Sequence, residues 1–479
     1  MEWMTGVDAS MLYVERPYAA ANAGTLMYLD TSTMPGGYAF ERFRDRHLAV
    51  TRKLEYARRR IVEVPFGLAH PAWAIDDDLD VDYHVGRIVL ADGQGRAAAR
   101  QILADELNKP LDRTKPLWRL FVVENVDVDL IAAIFVVNHV DFDGISGAAL
   151  ASFAFGPAEQ IELAADASDV LSHCFQGTPS RGELLRWAAH RRLERWKGIP
   201  ASLATVTRVV RRGRRTRRTV GIDRLSFFRD VPSVPWNHAY SERRVIGTFH
   251  TDLAALKGAA KRRSLTLHDH MLTALAGAFR DELLELGALP DIPCVVQCGV
   301  SLHDQDLRDG ETANRWWGAR VQLPTHLSDP VERSRAIEAQ TTLKKARRSY
   351  GAVLWPILAE HLSAKLVRFG LRLFELLHLA GRMQLNNGVF STVPGPEEVL
   401  YFAGNEVVEM YAITSIYIGH GLMVVPFSYR GRMFFTIYAD PASLPDVDRL
   451  GRRIEQHLAL LDEDGSPAVV ADAVGAGAR

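Results

Sequence analysis

Asn138-His139-Val140-Asp141-Phe142-Asp143-Gly144 is the segment of this chain best equipped for chemistry. It follows eight uninterrupted apolar residues, Leu130 to Val137, and precedes an Ala- and Phe-rich stretch, residues 145–155. The apolar run reads as a strand buried on both faces and the later stretch as a helix. The polar segment is then a strand-to-helix loop, where rigid scaffolds place their chemistry. A neutral imidazole at the strand end, His139, suits a general base near neutral pH. Asp143, followed by Gly144, has two readings: it pins the loop through an ion pair or backbone N–H bonds, or it merely caps the helix. A His/Asp pair with one glycine is not specific, so both readings stand on the residues alone.

Other candidates are weaker. His268 and His270 flank Asp269 at a helix start, but positions i and i+2 point apart and no acid cluster accompanies them, so no metal site is expected. Cys294 and Cys298 lie in a strand-like segment and read as buried thiols. Ser301 and Ser391 lack the Gly-x-Ser-x-Gly setting of a serine nucleophile. Three cysteines without paired spacing exclude a disulfide framework and point to a reduced, cytoplasmic compartment. Eight apolar residues fall far short of the ~20 a membrane-spanning helix needs. No extended apolar stretch follows Glu2 and Asp8, so a secretory signal is not expected either.

The elements that must position these groups come from a chain of 479 residues, 47% hydrophobic and 24% charged. Periodicity predicts helices over 40–60, 96–107, 253–263 and 268–286, the last with Ser264 or Thr266 as cap. Strands are expected over 25–29 and 244–249. Residues 422–428 and 433–438 read as a hairpin around Tyr429-Arg430-Gly431-Arg432. Residues 464–479 are small and Gly/Ala-rich, a frayed tail.

Between Arg181 and Arg218 stand 13 Lys and Arg against Glu183 and Glu194, in a chain of net charge -1. Leu185, Ala189, Leu193 and Trp196 form one helical stripe, ended by Ile199-Pro200. The block divides the chain into an N-terminal half (1–178), a basic connector (179–220), a C-terminal half (221–465) and a tail (466–479). A solvated charged connector explains it. So does contact with an anionic membrane or lipid-droplet surface, which Trp187, Trp196 and the arginines suit. The amphipathic stretch 365–382, with Leu366, Phe369, Leu373 and Leu377, adds to that second reading. Nucleic acid is not expected as a partner, because no recognised motif accompanies the charge.

Residues 138–144 also resemble the HHxxxDG motif of the CoA-dependent acyltransferase superfamily, which includes chloramphenicol acetyltransferase and peptide-synthetase condensation domains. Within it, the chain is similar to the bacterial wax ester synthase/diacylglycerol acyltransferase family. The landmarks fall in order over roughly residues 4–440: Met4 to Leu12; Pro116-Leu117-Trp118, matching the PLW motif; Trp236-Asn237; His268-Asp269, matching the ND motif; Val393-Pro394-Gly395-Pro396; and Ser428 to Gly431.

The resemblance implies an α/β fold of two chloramphenicol-acetyltransferase-like halves, with mixed sheets and an active-site tunnel between them. It implies transfer of an acyl chain from acyl-CoA to an alcohol, with His139 as general base, Asp143 ordering its loop, Gly144 permitting close backbone approach, and no metal or cofactor. Asn138, Pro116, Leu117, Trp118, His268, Asp269, Pro394 and Gly395 are assigned to the substrate tunnel on the same ground. Three departures bear on the acceptor: Asn138 replaces the first His of the motif, His268 replaces the Asn of ND, and His303 stands where an Arg is usual. They open two alternatives, an acyltransferase of specialised metabolism with another acceptor or a carrier-protein donor, and a catalytically silent acyl-thioester-binding relative.

Overall fold

A computed structural model describes residues 3–34, 36–52, 55–140, 177–220, 231–237, 241–301, 316–346, 357–361, 363–377, 384, 386–416 and 421–463. Asp143, Gly144, the helix expected over 145–155, His303 and the tail from 464 lie outside them. In chain order the helices are α1 Gly6–Val14, α2 Phe40–Thr51, the single turn α3 Val81–His84, α4 Gly95–Leu107, α5 Arg181–Val220, α6 Leu253–Arg262, α7 Leu267–Glu285, α8 Pro330–Ala346, α9 Ala364–Leu376 and α10 Val447–Glu463. The strands are β1 Asn22–Asp30, β2 Arg59–Val62, β3 Ala72–Ile75, β4 Val85–Val89, β5 Trp118–Asp127, β6 Leu130–Asn138, β7 Val245–Asp252, β8 Cys294–Ser301, β9 Trp316–Leu323, β10 Val389–Phe390, β11 Tyr401–Phe402, β12 Asn405–Thr414, β13 Leu422–Tyr429 and β14 Arg432–Ala439.

Two six-stranded mixed sheets carry the fold, ordered β11-β12-β1-β6-β5-β4 and β7-β14-β13-β10-β8-β9, with β2-β3 as a small hairpin beside them. The continuous apolar run of β6 is central in the first sheet, between β1 and β5, and Ile131 to Ile134 are buried whichever way they point. Strands β11 and β12 come from the far end of the chain yet complete the first sheet through β1. Sheet order therefore does not follow the division at the basic connector. One hydrophobic core joins both sheets: Tyr28 packs edge-on against Tyr411 within the first, and Tyr411 meets Phe434 of the second with ring centroids 5.1 Å apart. A second core fills the space between the second sheet and α6, α7 and α10 around Phe279, Phe435 and Leu450.

Local chemistry accounts for several boundaries. Thr266 caps α7 by accepting from the Asp269 N–H; Ser264, the other candidate, is instead a turn residue with φ +57°. Arg430 (φ +49°) and Gly431 (φ +72°) form a two-residue turn with both φ positive, whose twist matches the strands of the β13–β14 hairpin. The helix expected over 40–60 ends at Thr51, and Arg59–Val62 is strand β2 paired with β3. Pro200 does not end α5 as expected. It is exposed, so water can satisfy the carbonyl its missing N–H leaves open.

Trp236-Asn237 locks the second half internally. Trp236 Nε1 donates to the Asn387 carbonyl at 2.6 Å, Asn237 Nδ2 to the Asn386 carbonyl at 2.9 Å, and Asn387 Nδ2 to Asn237 Oδ1 at 2.8 Å.

Four histidines, His47, His70, His84 and His270, are buried, and burial pulls the pKa of each down to about 4. Unfolding exposes them to an ordinary value near ~6.5, so the unfolded chain binds more protons below that pH. Stability is expected to be flat above pH 6.5 and to fall from there toward pH 4. Urea melts at pH 7, 6 and 5 check this; unchanged midpoints would refute neutral burial of the four rings.

Candidate active site

His139 follows β6 directly, at the end of the sheet where the antiparallel neighbours β1 and β5 begin. Its backbone N–H donates to the Ala21 carbonyl at 2.6 Å, tying it to the residue before β1. Its neighbours Asn138 and Val140 are each 1% exposed, whereas His139 is partly exposed. Val140 is held in an apolar cluster with Met4, Leu12, Ile61, Trp73 and Leu117. Two buried anchors thus fix the backbone on either side of His139, a partly exposed residue whose ring Nδ1 is buried.

Asn138 builds the turn. Its Oδ1 accepts from the Val140 N–H at 3.1 Å, an Asx-type turn across His139. Its Nδ2 donates to Glu15 Oε1 at 2.7 Å and to Asn22 Oδ1 at 3.3 Å, while its own N–H donates to the Leu117 carbonyl at 2.9 Å. One amide supplies both a donor and an acceptor here, a pairing that explains how asparagine serves at this position. Placed beneath the turn rather than in open space, Asn138 orients His139.

Behind Asn138 lies a polar network that the sequence reading missed. Glu15, at the end of the almost wholly buried α1, also accepts from the Ala21 N–H at 3.1 Å and pairs with Arg113 at 2.5 Å. Arg113 in turn donates to the Leu12 carbonyl at 2.9 Å. Asn22 Nδ2 donates to the carbonyls of Leu107 and Lys109. The one available signal was a lone acid closing an apolar helix, followed by Arg16-Pro17.

The Pro116-Leu117-Trp118 segment is placed by this framework. Pro116 and Leu117 are buried, and Leu117 contacts the turn through its carbonyl and packs in the cluster of Val140. Trp118 is a core residue. Its Nε1 donates to the Ala57 carbonyl at 2.7 Å, and its ring stacks on His84 at 4.3 Å between centroids. Trp118 pairs with Val137 in the β5–β6 register, two residues before His139.

His268 and Asp269 open α7 on the second sheet's side. Asp269 is 2% exposed, and its Oδ2 accepts from the Thr266 hydroxyl at 2.6 Å, completing a reciprocal cap. His268 Nδ1 lies 3.2 Å from Thr392 Oγ1, and its ring is 5.5 Å from Phe390. Thr392 leads into Pro394 and Gly395, where the Gly395 N–H donates to Ser428 Oγ at 3.0 Å. A Cβ at Gly395 would come within 2.2 Å of the Ser428 carbonyl, so the segment lies this close to β13 because no side chain is present. Contacts connect this region to the His139 turn: Asn22 accepts from the Ser415 N–H at 2.7 Å, Thr414 Oγ1 reaches Met423 Sδ at 3.2 Å, and Met423 pairs with Val389 beside Phe390. The two regions flank the junction of the two sheets.

Residues 4–271 match the model of the wax ester synthase/diacylglycerol acyltransferase catalytic domain, and residues 313–462 that of its C-terminal domain. The chain belongs to this family. It is an acyltransferase. A putative diacylglycerol O-acyltransferase of Mycobacterium tuberculosis is 31% identical over 459 residues, covering 93% of this chain and 87% of the relative. A second enzyme of that organism, a probable diacylglycerol O-acyltransferase, is 27% identical over 474 residues, covering 97% and 99%. Among solved structures, the wax ester synthase/diacylglycerol acyltransferase of Marinobacter aquaeolei VT8 superposes with a TM-score of 0.64 at 19% identity, covering 97% of this chain and 99% of that one. A starter condensation domain of rhizomide synthetase, in complex with C8-CoA, gives a TM-score of 0.55 at 14% identity, covering 99% and 97%, and shares the fold. The α/β architecture of two acyltransferase-type halves follows.

Within this acyltransferase, the geometry around Asn138 makes a direct prediction. Asn138→Ala leaves the Val140 N–H without its Asn138 acceptor and removes one of the donors to Glu15, which keeps the Ala21 N–H and Arg113, costing about 1–3 kcal/mol of stability. It also loosens His139, so kcat is expected to fall more than KM rises. Steady-state kinetics beside a thermal melt check both; a variant with wild-type kcat would remove Asn138 from the positioning role.

Proposed function

We propose that this acyltransferase forms esters by moving an acyl chain from acyl-CoA to a long-chain alcohol or diacylglycerol, with His139 as general base. The imidazole takes the proton of the acceptor hydroxyl as its oxygen bonds the thioester carbonyl carbon. The tetrahedral intermediate collapses, the carbon–sulfur bond breaks, and the proton passes from the imidazolium to the departing thiolate. An ester and free CoA result; the cycle balances without an oxidant, a cofactor or a covalent acyl-enzyme. Holding hydroxyl and thioester in line at the base supplies much of the acceleration. The reading rests on the partly exposed imidazole held between two buried anchors at the end of β6. Free-thiol release from acyl-CoA of graded chain length, against a panel of alcohols, tests it. No release with any pair would sink it and leave a silent acyl-thioester-binding relative.

His268 favours a second reading for the acceptor. An imidazole beside Thr392 is bulkier than asparagine and able to change charge, so an acceptor other than a simple lipid alcohol, or a carrier-protein donor, suits it. Turnover confined to polar acceptors or carrier-bound acyl chains in the same panel would support this alternative.

An anionic lipid surface is the proposed partner of the basic helix α5. Trp187 and Trp196 are 40% and 65% exposed along it. Among the described residues no helix is long and apolar enough to cross a membrane. Neutralising Arg211, Arg212, Arg214 and Arg215 is expected to weaken binding to anionic vesicles and to remove most of its salt dependence, at about 1 kcal/mol per cation near the surface. Co-sedimentation across a salt series reads it; binding equal to wild type would exclude this cluster.

A further inference from the structure

Helix α9 is amphipathic, yet it turns its apolar side outward. Its packed face uses Val367, which joins the cluster around α1, and Arg368, whose guanidinium sits 5.7 Å from the Tyr13 ring. Leu366, Phe369, Leu373 and Leu376 recur at helical spacing along the other side and are 67%, 65%, 42% and 73% exposed. Apolar stripes of surface helices normally face the core, so this inversion calls for a solvent other than water.

A second, unrelated segment reaches the same face. Phe66 is 73% exposed at the tip of the turn Pro65–Gly67, with φ +61°, a backbone conformation a bulky residue adopts only at a cost. Gly67 beside it abuts Lys365 of α9. Val64 and Ala69, on either side of the turn, pack on Ala188 of α5. The turn therefore sits between α5, with exposed Trp196, and α9.

We infer that Phe66 and the outward stripe of α9 form a lipid-inserting face, seated in the hydrocarbon boundary of an anionic membrane or monolayer. This rests on the lipid-surface reading above and specifies which side chains enter. On α9 the face carries a polar margin of Lys365 and Arg372, both exposed, which match anionic headgroups. It also adjoins the catalytic region, because α9 packs on α1, and α1 ends at Glu15, which holds Asn138. An acceptor dissolved in lipid would be presented to the protein on that side.

The test uses the full chain and vesicles of phosphatidylcholine, alone or mixed equally with phosphatidylglycerol. Phe369→Asp with Leu376→Asp is expected to weaken binding to the mixed vesicles by at least about tenfold, since each loses a large buried side chain. Phe66→Gly relieves the positive φ, so its melting temperature should match or exceed wild type while vesicle binding still falls; that variant separates lost insertion from lost folding. Brominated lipid should quench tryptophan fluorescence in the wild type and less in both variants. Vesicle affinity unchanged in both variants overturns the inference. So does a wild-type dimer that the Asp variant converts to monomer without loss of vesicle binding, because the stripe would then join two copies. Turnover of a short acyl-CoA with a water-soluble alcohol should be equal in all three proteins. Its absence from wild type would count against the proposed catalysis while the vesicle result stands by itself.

Discussion

Replacing His139 by alanine is expected to lower kcat by about 10²- to 10⁴-fold, the usual contribution of a positioned general base. The fold should survive. His139 is held through its backbone N–H to Ala21, and the buried contacts beside it belong to Asn138 and Val140, so the side chain can be removed without opening the core. KM for the acyl donor should move little, because proton transfer is made only in the transition state. Single-turnover thiol release beside a thermal melt measures all of this. A variant that folds and turns over at the wild-type rate would show that another group accepts the proton.

Asp440→Ala should give the largest loss of stability, about 3–5 kcal/mol, the range for breaking a buried ion pair by deleting one partner. Arg244 and Asp440 have side chains 0% and 1% exposed with Nη1 and Oδ2 3.4 Å apart. Asp440 also accepts from the Ser241 N–H and, at 2.8 Å, from the Ser241 hydroxyl. Deleting it takes the carboxylate partner from a buried guanidinium whose bonds to the carbonyls of Ser241, Arg243 and Tyr18 are to neutral acceptors. The effect should reach the backbone that holds His139, because Arg244 Nη2 donates to the Tyr18 carbonyl at 3.0 Å, in the turn just before Ala21. Gln101 and Asn108 add bonds from α4 and its end to the Arg244 and Glu242 carbonyls, so this strap ties the two halves together. Urea melts read the stability. The double variant Arg244→Met with Asp440→Leu should recover much of it, since a matched apolar pair carries no desolvation penalty. A single variant within about 0.5 kcal/mol of wild type, the scale of an ordinary surface substitution, would mean the pair is not buried as described.

Much of the site was legible because its signals are local. The apolar run ending at Asn138 announced a doubly buried strand with a polar loop at its end, since a strand buried on both faces has no reason to alternate. Ser264 or Thr266 before an apolar periodic stretch marked the start of α7, the structure selecting Thr266, and Arg430-Gly431 between apolar runs marked a tight hairpin. Trp118 illustrates the limit of a motif. Its spacing in Pro116-Leu117-Trp118 carried the family resemblance, but spacing does not say whether an indole faces a tunnel or a core, and its Nε1 is spent on Ala57.

By itself, the amino-acid sequence determined the strand that delivers His139 and the turn chemistry of the hairpin, because each depends on residues within a few positions of one another, and it determined the family and with it the α/β class, because short motifs recur in a fixed order along the chain. Only the tertiary structure decided the rest. That β12 pairs with β1, nearly 400 residues away, follows from which edges meet when the chain collapses, and local periodicity carries no address for a partner strand. That Glu15, Asn22 and Asn138 form one network, and that the apolar stripe of α9 faces outward, are likewise properties of packing. A helix shows in its sequence which side is apolar, but what that side meets depends on everything folded around it.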